Sequence, residues 1–214
     1  MARGTMFGDL HSNADLHLIQ QKVDVNPAEP RLNLVDVPGA DGSKDLSELP
    51  SGRVTFKDRT IEWTFALYPG DDWASKHSEV SGALNGRRCE ITLDEDPDYY
   101  YNGRLTVSKH KVDGILRQIT IKATCAPYKL RHTETEIRST LYDEPDTVIL
   151  PNGRKPVVPT IVCASSATIV FGDYNVVFAA GTHKDLCIEL VEGENVVTVT
   201  SDDVVTFIYR EGAL

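Results

Sequence analysis

Short runs in which apolar and polar residues alternate, cut at close intervals by Gly, Pro, Asn and Asp, dominate the chain and predict β-strands. Arg53 to Lys57 and Ile61 to Leu67 read as two strands around an Asp58-Arg59 turn. In the second run Ile61, Trp63, Phe65 and Leu67 fall on one face, the period of a half-buried strand. One segment carries a helical period instead. From Trp73 to Asn85, the residues Trp73, Val80 and Leu84 form a single stripe. Asp71 or Asp72 is placed to accept hydrogen bonds from the free N–H groups of its first turn. Gly86 stands where a left-handed cap would end it. Gly82 inside the helix costs about 1 kcal/mol relative to Ala, so packing must hold this element.

Two dipeptides, Asn102-Gly103 and Asp113-Gly114, match the type I′ hairpin turn, which needs positive φ. They predict an antiparallel meander over Arg104–Val112 and Ile115–Cys125, with Ile115, Ile119, Ile121, Ala123 and Cys125 on the core face. Ala126-Pro127-Tyr128 breaks the pattern, and a boundary near residue 130 divides the chain into parts 1–130 and 131–214. The second part reads as almost pure β. Strand candidates are Thr147–Leu150, Val157–Cys163, Ala167–Phe171, Asn175–Ala179, Asp185–Leu190, Asn195–Thr200 and Val204–Tyr209. Seven or eight short strands with tight turns make a sandwich or jelly roll. The fold class is therefore mainly β, with one helix in the first part.

The 214 residues are enough for one sizeable core or two small ones. Lys and Arg number 22 against 32 Asp and Glu, a net charge of −10. That balance argues against a nucleic-acid binder, which needs basic density to displace counterions from phosphates. No apolar run approaches the ~20 residues of a membrane helix, and the first residues hold no apolar signal core. The four cysteines (89, 125, 163, 187) show no Cys-x-x-Cys pair, so neither zinc nor a disulfide framework is indicated. Cys163 and Cys187 could meet across a sheet, but in a reducing compartment they read as small core residues.

Candidate chemistry is sparse. Asp94-Glu95-Asp96-Pro97-Asp98 could supply oxygen ligands, yet Tyr99 and Leu105 occupy the positions where a calcium loop needs Gly and Glu. It reads as an exposed acidic turn. Val37 to Asp45 superficially resembles a phosphate loop, but its Gly spacing is wrong and its two Asp would repel phosphate. It reads as a loop with specific turn chemistry, in which Gly39 and Gly42 permit angles that a Cβ disfavours. The histidines never approach His-Glu-x-x-His spacing, and no Gly-x-Ser-x-Gly elbow exists. Paired carboxylates for hydrolysis can be imagined anywhere among 32 acidic residues and carry no specificity. Tyr99-Tyr100-Tyr101 could stack on a sugar, but alternation splits the three over two faces, and strand packing is the simpler role. No enzyme, cofactor or metal site is expected.

Several segments taken in order resemble one family. They are Pro30-Arg31, the run Val35-Asp36-Val37-Pro38-Gly39-Ala40-Asp41-Gly42 with Asp45-Leu46-Ser47-Glu48, and Phe56 with Arg59. They continue through the helix with Trp73, Asp94 to Pro97, Tyr99 to Leu105, Pro127-Tyr128-Lys129 and the closing Val204 to Leu214. Together they are similar to the distal tail proteins of long-tailed bacteriophages. The resemblance implies a six-subunit ring at the virion tail tip, assembled in the host cytoplasm, built by the N-terminal domain, with a galectin-like sandwich projecting outward. Implied partners are further copies of the chain, the tail tube protein, the tape measure protein, the tip hub or tail-associated protein and receptor-binding proteins. Ala213 stands where many members carry an aromatic residue, and residues 131–214 leave no room for an inserted sugar-binding module. On this reading Val37, Pro38, Gly39, Asp41, Gly42 and Asp45 form an intersubunit or ring-shaping loop. Tyr142 and Tyr174 are candidate anchors for other tail-tip proteins. The alternative is a carbohydrate-binding sandwich module. It would want exposed Trp or Tyr in the second half, which holds no Trp and only Tyr142, Tyr174 and Tyr209 after the junction.

Overall fold

A computed structural model describes residues 3–108, 111–113, 116–140 and 144–214. The chain forms two compact units, Met1–Pro127 and Tyr128–Leu214. The first contains β1 (Thr5–Phe7), β2 (Leu10–His11), β3 (Leu18–Val25), β4 (Leu34–Asp36), β5 (Ser43–Asp45) and β6 (Arg59–Leu67). They are followed by α1 (Trp73–Leu84), β7 (Arg88–Leu93), β8 (Tyr99–Val107), β9 (Lys111–Asp113) and β10 (Leu116–Cys125).

An antiparallel sheet runs in the order β2-β1-β7-β8-β10-β6-β3, with β9 also pairing to β10. Period-two alternation sets its faces. Ile61, Trp63, Phe65 and Leu67 of β6 and Ile119, Ile121, Ala123 and Cys125 of β10 are all buried. The sheet curls: Phe7 of β1 packs edge-on against Trp63 of β6, four strands away, with ring centroids 5.1 Å apart. Helix α1 adds Val80 and Leu84 to this core. Asp72 caps it, its carboxylate accepting from the Ser75 N–H at 2.9 Å, and Gly86 follows its end at φ +77°. The expected helix is thus present, one residue shorter.

Three expectations for this unit fail. Arg53–Lys57 is not a strand; it makes a single bridge, Pro30 to Phe56, and Arg59 starts β6 as a buried residue rather than forming a turn. Asn102-Gly103 is not a turn either. Both lie inside β8, where Gly103 pairs with Cys125 on one side and Cys89 on the other. A Cβ at 103 would collide with Cys125 Sγ and lie 3.0 Å from the Thr124 carbonyl oxygen, so the missing side chain serves close packing. Strands β1, β2, β3 and β7 were not anticipated from the pattern. The turn expected at Asp113-Gly114 and the core position expected at Ile115 lie outside the described residues.

The second unit holds β11 (Lys129–Arg131), β12 (Thr135–Arg138), β13 (Asp146–Asn152), β14 (Thr160–Cys163), β15 (Ala167–Phe171) and β16 (Tyr174–Phe178). It continues with β17 (Gly181–His183), β18 (Gly193–Ser201), β19 (Val205–Tyr209) and β20 (Gly212–Ala213). Two four-stranded antiparallel sheets, β12-β19-β14-β17 and β13-β18-β15-β16, form a sandwich. Leu150, Ile169 and Val197 from one sheet and Ile161, Val205 and Phe207 from the other share its core. Asp185–Leu190 is not a strand. The Asp185 carboxylate accepts from the Cys187 N–H at 2.9 Å and its carbonyl from Ile188, which makes a turn and leaves one bridge, Leu190 to Val157. Ile188 and Leu190 still reach the core.

Candidate assembly surface

Among the described residues strands β4 and β5 pair only with each other, joined by residues 37–42. Residues 31–45 are exposed throughout, so this ribbon stands on its own. A lone two-stranded hairpin is marginal in water, and local devices hold this one. Gly39 and Gly42 turn the tip at φ +83° and +76°, with open space around both. Ser43 donates to Asp36 at 2.6 Å across the strands. At the base, the Asp45 carboxylate accepts from the Ser47 hydroxyl and, at 2.9 Å, from the Ser47 N–H. The Ser47 oxygen in turn accepts from the Asn33 N–H at 2.8 Å. Those two bonds from Ser47, the hydroxyl first, hold the Asp45 carboxyl below its usual range.

The sign follows: a depressed carboxylate contributes its brace above the ordinary aspartate value, about pH 3.9, and loses it as pH falls through the lower folded value. Amide exchange at Ser47 is expected to accelerate only below that range, and Asp45→Ala to remove the protection at every pH. Unchanged protection in Asp45→Ala would show that the brace lies elsewhere.

The ribbon also exposes apolar side chains on both faces. Leu32 and Leu34 alternate to one side and Val35 and Val37 to the other; Leu34 is 54% exposed. Beside its base an open hollow of about 640 Å³ is bordered by Asp45, Leu46, Ser47, Glu48, Leu49 and Gly52, with Leu49 78% exposed. Val37, Pro38, Gly39, Asp41, Gly42 and Asp45 are thus gathered on one projecting element. Sequence reasoning found its tip and missed Leu32, Leu34, Val35 and Leu49. The alternating Leu-x-Leu-Val-x-Val run was the available signal.

Tyr174 lies on β16, half-buried against the sandwich core, its hydroxyl donating to Asp185 at 2.7 Å. That hydrogen bond, with burial second, pushes the phenol up to about 12, and the Cys187 N–H together with Tyr174 holds Asp185 low. Tyr142 lies outside the described residues. The outer face of β13-β18-β15-β16 exposes Ile149, Val196 and Val177. Tyr209 is buried, its hydroxyl donating to the Pro151 carbonyl. Among the described residues, no three His, Cys, Asp or Glu side chains converge as a metal site.

These features define a two-part, mainly β protein whose unpartnered ribbon projects from a curled sheet. No family model matches the chain, and no curated protein matches it in sequence. In fold it is similar to the SPP1 Dit (gp 19.1) protein, whose crystal structure is described as a paradigm of the hub adsorption apparatus in phages that infect Gram-positive bacteria. The likeness covers 100% of both chains at a TM-score of 0.74, with 14% sequence identity. The mainly β architecture expected from the resemblance is the one the chain adopts.

Proposed function

We propose that this chain is a structural subunit of a phage tail tip, six copies of which close into a ring joining the tail tube to the tip hub and adsorption apparatus. The observation that carries the reading is the end-to-end likeness in fold to a hub protein. The exposed apolar ribbon fits it, since an element this marginal alone gains from burial against a neighbour. The first unit builds the ring, with residues 37–45 reaching the adjacent copy. The tail tube, tape measure and tip hub proteins contact the ring. The second unit faces outward, and its apolar outer face, with Ile149, Val177 and Val196, docks other tail-tip proteins, receptor-binding proteins among them.

The same reading places the protein in the virion tail. Native mass measurement is the test: the expected species has six times the 23.7 kDa protomer mass. A strict monomer at every concentration, including in tail particles, would sink it.

A further inference from the structure

The β7–β8 hairpin carries opposite charges at its two ends. At one end Arg88 and Arg104 pair directly across the strands on the outer face. Like charges in that relation are unfavourable. Arg88 Nε donates to Asn102 Oδ1 and an Arg104 guanidinium nitrogen to the Gly86 carbonyl, both at 2.7 Å. Among the described residues neither reaches a carboxylate within ion-pair distance. Arg87 stands beside them, exposed. The two arginines border an open groove of about 430 Å³ together with Asn102, Thr106, Thr124 and Asp58. Among the described residues Asp58 is the acid on its rim, and Glu90 stands two residues from Arg88 along the same face.

At the other end lies the turn Asp94-Glu95-Asp96-Pro97-Asp98. Asp94 is used internally, accepting from the Gly4 N–H at 2.8 Å with His11 at 3.3 Å. Among the described residues Glu95 meets only the exposed Arg3, at 3.0 Å, and Asp98 is exposed. Five to six residues of strand separate the two ends, about 17–20 Å. That exceeds the ~8–10 Å over which exposed charges act at physiological salt. The two ends therefore cannot neutralise each other within one copy.

We propose that the Arg88–Arg104 groove receives the acidic turn of a second copy, Asp98 and Glu95 bridging the two guanidinium groups. The donor sets suit it, because a guanidinium presents a planar fork that a carboxylate meets with two parallel hydrogen bonds. The contact is heterologous, basic end to acidic end, so each copy offers one of each and the series closes when the rotation between neighbours allows. This inference rests on the ring reading.

The experiment uses the full chain at moderate salt, with circular dichroism confirming that each variant folds. One variant carries Arg88→Glu and Arg104→Glu, the other Glu95→Arg and Asp98→Arg. Each alone is expected to weaken assembly at least ~100-fold, two charge pairs at about tenfold each. Mixed, they should restore the ring, because every interface then joins unlike charges, and native mass spectrometry should find the variants alternating three and three. A ring that forms equally well from the arginine variant, or a mixture that fails to recover, overturns the contact while leaving the ring intact. A wild-type chain that never assembles would remove both.

Discussion

Replacing Gly103 by valine should lower the melting temperature by roughly 6–12 °C, a loss of about 3 kcal/mol. The cause is a row of residues across four strands of the curled sheet: Arg59 on β6, Cys125 on β10, Gly103 on β8 and Cys89 on β7. Cys125 Sγ leans into the space above Gly103, and the thiol is buried enough that its pKa is pushed up to about 12. A side chain at 103 must displace that sulfur and also relax against the Thr124 carbonyl at 3.0 Å and Cys125 Cα at 3.3 Å. The second obstacle is backbone, so the strain cannot be relieved by a rotamer change alone. The collision also predicts coupling. Gly103→Ala in a Cys125→Ala background should cost at least ~1 kcal/mol less than in the wild type, because the sulfur is gone. Thermal melts of the four proteins measure it. A valine variant that melts within 2 °C of the wild type would show that the row has room.

The same glycine shows where sequence pattern misleads. Asn-Gly reads as a hairpin turn because Gly tolerates positive φ, yet the absence of a Cβ serves equally where two strands crowd together. The alternation of Tyr101, Gly103 and Leu105, all buried, was the sign that the strand continues through it. Legible elements were those with one clean face, such as Ile61–Leu67 on β6 and Ile119–Cys125 on β10. Strand β3 was hidden for a physical reason. It lies at the sheet edge and shifts register between Gln20 and Lys22, so the period of two breaks in its middle. Asp185–Leu190 misled in the opposite direction. Ile188 and Leu190 keep a strand's spacing and are buried, but the Asp185 side chain offers the backbone a turn instead.

The candidate surface was legible at its tip, because Pro38, Gly39 and Gly42 announce turn chemistry. Its apolar flanks were not. Exposed Leu and Val look like core residues until the fold shows that, among the described residues, the ribbon has no second layer above or below it. The Arg88–Arg104 pair was equally invisible, since only the register of β7 against β8 brings residues sixteen apart into direct opposition. A search by local motif finds phosphate loops and metal sites, whereas a surface built for assembly is distributed over elements that pairing alone brings together.

Changing Leu34, Val35 and Val37 together to serine should weaken ring formation by about 100-fold or more while leaving the protomer folded. All three are about half exposed in the single copy, so roughly half of the 1.5–3 kcal/mol gained on fully burying such a side chain remains to be won on assembly. That is about 1 kcal/mol each and about 3 kcal/mol per ribbon, against 1.4 kcal/mol for every tenfold in affinity. In a closed ring the loss recurs at every interface, which makes the estimate a lower bound. Protomer stability should change by no more than about 0.5 kcal/mol at each of the three positions, because surface substitutions away from caps and strained turns have little effect. The turn glycines and the Asp45–Ser47 brace are left in place for that reason. Sedimentation across a hundredfold concentration range, paired with a thermal melt of the monomer, separates the outcomes. Assembly lost with the melt unchanged assigns the ribbon to the neighbouring copy. Unaltered assembly would remove the ribbon from the interface, and a melt lowered by several kcal/mol would show that it stabilises its own protomer instead.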